Sequence, residues 1–329
     1  MPLTRKQKWR IDKVQSEKIA RADKASLKAE SQLESNEKEY TGMVITRYGQ
    51  RQLVEDKNGE IFQCVSRQNI GFSVAGDQVL FQKTKQDDAI VTAIYPRKTE
   101  LQRKDKLIAA NIDQLWLVVA IEPHYEFDLI DRYLIMAENS KLPIGIVINK
   151  IELSKNDNQL NNDFEHYKSL GYDVHFISVK NGENVDTFKE KLINKSHIFL
   201  GQSGVGKSSL INSLIPDLEL RVNEISIKSK LGKHTTTNTT IYHIPSGGDL
   251  IDSPGVREFQ LDNLSDEQIV GGFREFKALS DRCRFRNCKH INEPDCAVKI
   301  ALENGEINDN RYESYLNILA LFFQKDNAL

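Results

Sequence analysis

The sequence predicts a multidomain fold: a small all-β barrel, an α/β domain built on a parallel sheet, and a helical C-terminal domain, all behind a polar arm. Three observations predict it. Short alternating apolar runs fill residues 41–96, and continuously apolar strands alternate with helical spacing from residue 111. After Gln260 the pattern is helical, interrupted by a tight group of cysteines. At 329 residues the chain is long enough for two or three separate cores.

Residues 1–38 form the arm. They are rich in Lys, Glu, Ser and Ala, and residues 1–30 hold nine Lys/Arg against Asp12, Glu17, Asp23 and Glu30. No apolar face is wide enough to pack alone, so a basic flexible arm is expected. It is either a solvated tail or an arm that neutralises nucleic-acid phosphates.

Residues 39–100 carry five short strands, in "TGMVITRYG", "RQLVED", "EIFQCVSR", "DQVLFQKT" and "AIVTAIYP", separated by turn signals such as Asn58-Gly59 and Ala75-Gly76-Asp77. That spacing suits an OB-type β-barrel, a fold that commonly binds nucleic acid and also serves as a plain spacer. Residues 101–260 read as the α/β domain. "NIDQLWLVVAIEP" is its first strand, with a helix following through Leu129, Ile130, Tyr133, Leu134 and Ala137. "PIGIVINK" and "DVHFISVK" are further strands, and "HIFL" and "DLIDSPG" each run into a loop. Residues 261–329 open with a capping box, Ser265 and Gln268, ahead of an amphipathic helix through Ile269, Phe273 and Phe276. "NRYESYLNILALFF" closes the chain as a core helix.

The bulk numbers exclude several classes. Forty-five basic and 47 acidic residues leave a formal charge of −2, so nothing global marks a polyelectrolyte binder. No run approaches the roughly 18 apolar residues of a membrane span, and the basic N-terminus lacks a signal peptide's apolar core. Four cysteines are too few for a disulfide framework at this length. A reduced, cytoplasmic protein with no membrane partner is expected, and a monomer.

The strongest motif is Gly201-Gln202-Ser203-Gly204-Val205-Gly206-Lys207-Ser208-Ser209 between a short strand and a helix. Small residues let successive N–H groups turn toward phosphate oxygens, Lys207 brings a cation to the outer phosphates, and the Ser208 hydroxyl suits Mg²⁺. Asp252-Ser253-Pro254-Gly255 reads as its second half, with Asp252 serving the magnesium and Gly255 the terminal phosphate. Between them lies "GKHTTTNTT", where Thr236 is the choice for completing the Mg²⁺ shell, although an ordinary Thr-rich loop would look the same.

Asn149-Lys150-Ile151-Glu152 at the end of a strand is a guanine reader. One carboxylate accepts from guanine N1–H and its exocyclic amine together; adenine offers no such pair and is rejected. Glu152 keeps that two-oxygen fork one methylene further out than the usual Asp. Ser178 and Val179, in "ISVKNGEN", end the next strand and suit guanine O6. The base reader precedes the phosphate loop, so this is a GTPase domain whose ends have been joined and reopened elsewhere, which is tolerable because domain termini often lie close together. The residue after Gly255 is Val256, which cannot hydrogen-bond water, so His234 is the candidate to orient the attacking water.

Cys283-x4-Cys288-x-His290-x5-Cys296 gathers three of the four cysteines and one of seven histidines. Three thiolates and an imidazole make a closed structural set for one Zn²⁺, the other reading being free buried thiols. Arg282, Arg284, Arg286 and Lys289 decorate the same segment, as an RNA contact or a solvated face.

The permuted order, with "GQSGVGKSSLINSL", "GKHTTT", "DSPGVREF" and "CRFRNCKHINEPDCAVK", resembles the RsgA (YjeQ) family from about Thr41 to the C-terminus. The resemblance implies an OB barrel, a circularly permuted GTPase domain and an α-helical zinc-binding domain using those four ligands. It further implies hydrolysis stimulated by the small ribosomal subunit during its late maturation, contact with rRNA, and a catalytic role for His234. A GTP-binding rRNA adaptor with negligible hydrolysis is the alternative that Val256 keeps open, and an ATP-dependent kinase would leave Glu152 without a task.

Overall fold

The structure is a computed structural model and describes residues 13–20, 38–67, 70–84, 88–103, 106–218, 220, 238–253 and 264–326. His234, Thr236 and Gly255 lie outside the described residues. The chain forms two compact units: residues 1–112 with 216–244 and 249–255, and residues 113–215 with 245–248 and 256–329.

In the first unit, strands β1 (Tyr40–Tyr48), β2 (Arg51–Asp56), β3 (Ile61–Ser66), β4 (Gln78–Lys83) and β5 (Asp88–Ile94) pair in the order β1-β2-β3-β5-β4, and β4 returns to β1. That ring is the five-stranded barrel expected from the alternating runs. Val44, Val54, Cys64, Val79, Phe81 and Val91, inward at every second position, fill it. Residues 13–20 of the arm are helical, and the Gln15 side chain bonds the Ile70 carbonyl (2.7 Å) and the Ile94 N–H (3.3 Å) of the barrel. A hairpin, β6 (Glu100–Arg103) with β7 (Lys106–Ala110), follows. A second hairpin comes from far along the chain: β12 (Thr240–His243) pairs with β13 (Asp249–Asp252) and also with β1, at Thr46 and Thr240.

In the second unit, β8 (Gln114–Ala120), β9 (Ile144–Asn149), β10 (Asp173–Phe176) and β11 (Ser196–Leu200) form a parallel sheet in the order β10-β9-β8-β11. All six residues of β9 are buried, as a strand covered on both faces requires. Chain order runs outward from β8 to β10 and then returns to β11 on β8's other side, which makes a topological switch point where ligands of such sheets bind. The helices are α1 (Phe127–Ser140), α2 (Asp157–Ser169), α3 (Val185–Glu190), α4 (Lys207–Leu214), α5 (Asp266–Gly271), α6 (Arg274–Ser280), α7 (Ala297–Glu303) and α8 (Asp309–Asp326).

The expected continuous helix through Ile269, Phe273 and Phe276 is two, α5 and α6, with the Ser265–Gln268 capping box present. The break falls at Gly272, where a Cβ would lie 2.7–2.9 Å from three atoms of Ile135 on α1. Glycine there lets the two backbones meet, and the chain turns to lay α6 on the same core. That core joins Ile135 to Ile269, Phe273, Phe276, Tyr315 and Ile318. At its edge Arg311, 1% exposed, bonds Asp131 of α1 and forks onto Glu275 of α6 at 2.7 and 3.0 Å.

Candidate functional site: a nucleotide pocket and a cysteine knuckle

Four loops leave the carboxyl ends of β8, β9, β10 and β11, and three of them carry the residues expected to bind nucleotide. Asn149, 2% exposed at the end of β9, is the tie between them. Its amide donates to the Val205 carbonyl at 3.0 Å and its oxygen accepts from the Val179 N–H at 3.2 Å. One side chain thus clamps the base-reading loop to the phosphate loop. Gly206 permits this approach: a Cβ there would lie 2.2 Å from Asn149 Nδ2, and its φ of +94° is left-handed.

Lys150 also turns left-handed (φ +63°) and caps the short 3₁₀ turn Ile151–Leu153, which carries Glu152. Its ammonium donates to the Glu122 carbonyl at 2.6 Å, which stretches the side chain along the pocket wall from β9 to the β8 loop. Glu122 is a site residue that sequence reasoning misses. Its one signal is position, directly beyond the apolar run of β8 at the ligand end of the sheet. Glu152 has a buried carboxylate oxygen, Oε2, with no hydrogen-bond partner among the described residues. A ligand that brings a donor to such an oxygen removes the cost of leaving it unmatched. Ser178 is fully buried, its N–H bonding the Glu183 carbonyl at 3.0 Å, and Val179 is half-buried beside it.

The phosphate loop turns through Ser203 and Gly204 into α4, whose first residue is Lys207. The Lys207 ammonium donates to the loop's own carbonyls, Gly201 at 2.6 Å and Gln202. Gly201 and Val205 are buried, Gln202 is half-buried, and Ser203, Gly204, Ser208 and Ser209 face solvent. Exposed hydroxyls at a helix start suit a polyphosphate, through their O–H groups, and its cation, through their oxygen lone pairs. Asp252 closes β13 in the other unit, followed by Ser253 at 6% exposure.

In the knuckle, one ligand atom from each of Cys283, Cys288, His290 and Cys296 lies within 4.8 Å of every other. His290 Nδ1 faces Cys296 Sγ at 3.3 Å and Cys283 Sγ at 3.6 Å, while Nε2 rests 3.4 Å from Ser280 Oγ. Burial holds the imidazole pKa below its usual value, which keeps it the neutral ligand a cation needs. The Glu293 carboxylate gathers the N–H groups of Lys289 (2.9 Å), Ile291 (2.8 Å) and Asn292 (3.1 Å), which shapes the turn around His290. The donor set fits one tetrahedral divalent ion. Of the basic residues nearby, Lys289 pairs with Asp266 at 2.6 Å and Arg284 with Asp295 at 3.0 Å; Arg282 and Arg286 are exposed.

A family model described as RsgA GTPase matches residues 94–262. The small ribosomal subunit biogenesis GTPase RsgA of Hahella chejuensis is 42% identical over 98% of this chain and 97% of its own length. The chain belongs to the RsgA GTPase family. Among solved structures, YjeQ from Thermotoga maritima matches with a TM-score of 0.73 and 31% identity, covering 87% of this chain and 99% of that one. YloQ, described as a circularly permuted GTPase, matches with a TM-score of 0.73 and 27% identity over 90% and 99%. The protein is therefore a GTPase, and its GTPase domain is circularly permuted. Among the described residues no helix is long and apolar enough to cross a membrane.

Proposed function

We propose that this protein hydrolyses GTP on the small ribosomal subunit, late in that particle's maturation, with the subunit stimulating the reaction. The observation that carries the nucleotide assignment is the unmatched Glu152 oxygen beside the Asn149 clamp. Guanine N1–H and its amine satisfy that carboxylate, whereas adenine leaves it bare. Asn149, Lys150, Ile151, Glu152, Ser178 and Val179 hold the base. Gly201 through Ser209 wrap the phosphates, and Lys207 turns from the loop carbonyls to the outer phosphates. Ser208 and Thr236 would hold Mg²⁺, with Asp252 serving it, and the ion would supply charge neutralisation to the phosphate oxygens. Gly255 brings its backbone to the terminal phosphate, and His234 orients the attacking water, a task Val256 cannot perform.

The knuckle's Cys283, Cys288, His290 and Cys296 hold one structural Zn²⁺, with no position left for chemistry. The barrel, the arm and the exposed arginines of the knuckle face rRNA, and the protein works as a cytoplasmic monomer. The relatives' shared name, small ribosomal subunit biogenesis GTPase, supports the partner. The test is the GTP hydrolysis rate across a titration of purified small subunits, run with wild type and His234→Ala. The expected result is a rate that rises to saturation in wild type and stays flat in the variant, with nucleotide affinity retained. A wild-type rate indifferent to subunits refutes the proposal.

A further inference from the structure

The hairpin that carries Asp252 is built onto the barrel. Thr240 of β12 stands opposite Thr46 of β1 on one side and Asp252 of β13 on the other, so the three form one row across three strands. Thr46 sits where β1 slips register against β2, just after Val44. Such a bulge re-aims a side chain out of the regular alternation. The Thr46 hydroxyl donates to the Thr239 carbonyl at 2.9 Å and accepts from the Thr240 hydroxyl at 3.1 Å. The Thr239 hydroxyl donates to Ser253 Oγ at 3.0 Å, one residue beyond Asp252. Thr46, Thr240 and Ser253 are all under a tenth exposed, so water cannot readily replace these bonds. At the hairpin's other end, His243 bridges Asp249 of β13 and Glu55 of barrel strand β2.

We infer that Thr46 is a positioning residue for GTP hydrolysis: through Thr239 and Thr240 it fixes the Asp252–Ser253 loop to the barrel, so that this loop moves with the barrel. The inference rests on the reading of Asp252 as the magnesium-side switch. Its logic is that of a two-state element. With the hydroxyl bonds made, Asp252 is held in register with β1; with them broken, the Thr239 carbonyl and the buried Thr240 hydroxyl lose their partner, and the loop loses its side-chain tie to the barrel. A barrel seated on RNA thereby presents the hydrolytic loop in one orientation.

The experiment uses full-length Thr46→Val, which keeps the shape and removes the hydroxyl, Thr46→Ser, which keeps the hydroxyl, and Asp252→Asn. kcat and KM for GTP are measured with saturating small subunits. Thr46→Val is expected to lower kcat about tenfold, the equivalent of about 1.4 kcal/mol of barrier. Its KM stays within about twofold of wild type, because the interaction acts on the reacting arrangement and not on nucleotide capture. Thr46→Ser restores kcat. Wild-type kcat in Thr46→Val overturns the inference, and so does Thr46→Ser falling equally far, which would assign the effect to packing. If Thr46→Val does not fold, Thr239→Val against Thr239→Ser puts the same question to the Ser253 bond, with the same expected loss and recovery. Asp252→Asn separates the two layers. Full turnover in that variant defeats the switch reading itself, whereas an inactive Asp252→Asn beside an unaffected Thr46→Val defeats only the coupling.

Discussion

Replacing Glu152 by glutamine tests the guanine assignment at its chemical centre. In wild type the carboxylate has a buried oxygen with no partner among the described residues. Bound guanine supplies two donors, and each charge-assisted bond contributes about 1.5–3 kcal/mol. In Glu152→Gln the new amide keeps one acceptor at neutral strength, about 1 kcal/mol, and turns an N–H toward the guanine amine where an acceptor is needed. The net loss is about 2–5 kcal/mol, so the Kd for GDP should rise from about thirtyfold to about five-thousandfold. Xanthine carries a carbonyl where guanine carries the amine, and the new N–H finds its acceptor there. Affinity for XDP should therefore rise in the variant as affinity for GDP falls. Isothermal titration of both proteins with GDP, XDP and ADP reads all of this directly, and ADP should bind weakly to each. A variant whose GDP affinity stays within about threefold of wild type, with no gain for XDP, would show that Glu152 does not face the base.

Three further outcomes follow from features elsewhere. His243, held between Glu55 and Asp249, has its pKa raised from 6.5 to about 10, chiefly by its bonds to Asp249 and then Glu55. Its folded-state pKa is the higher one, so its stabilisation is complete below about pH 6.5 and fades as pH rises through about 10. Because the site is about half exposed, His243→Ala should cost only about 0.5–1 kcal/mol in urea unfolding at neutral pH, and less above pH 10. Arg311→Met strands Asp131 and Glu275 in the core and should cost about 3–5 kcal/mol at pH 7. That deficit should shrink as pH falls and Asp131, already held above the usual carboxylate range by burial, takes up a proton; a deficit unchanged between pH 7 and pH 5 would count against it. Stripping the knuckle with a strong chelator should lower the melting temperature and release one equivalent of zinc by atomic absorption, and Cys288→Ser should remove that release.

What the sequence disclosed was whatever is local. The phosphate loop, Asn149-Lys150-x-Glu152 and the cysteine spacing each carry their chemistry within a few neighbouring residues, and the barrel strands announce themselves by period and turns. The Asn149 clamp, by contrast, joins residues 30 and 56 positions apart, and nothing in "VINK" names its partners. The β12 pairing with β1 spans almost 200 residues, and four-residue strands leave too little alternation to place in a sheet. Nothing in "NDNRYESY" singles out Arg311, which is among the most buried side chains because its counter-charges arrive from α1 and α6. The α5–α6 break has a visible sign in Gly271-Gly272, overruled by apolar spacing that fits a continuous helix equally well.

The seating of Gly272 against Ile135 bears on how this family can evolve. A surface where backbone meets side chain at the van der Waals limit, flanked by an arginine shared between two partners, cannot be exchanged one half at a time. Any substitution that enlarges Gly272 or removes Asp131 must be matched across the junction. The nucleotide-binding sheet and the cysteine-rich tail should therefore be inherited as a linked pair, and chimaeras that join these halves from distant relatives should fail at this seam before they fail at either ligand site.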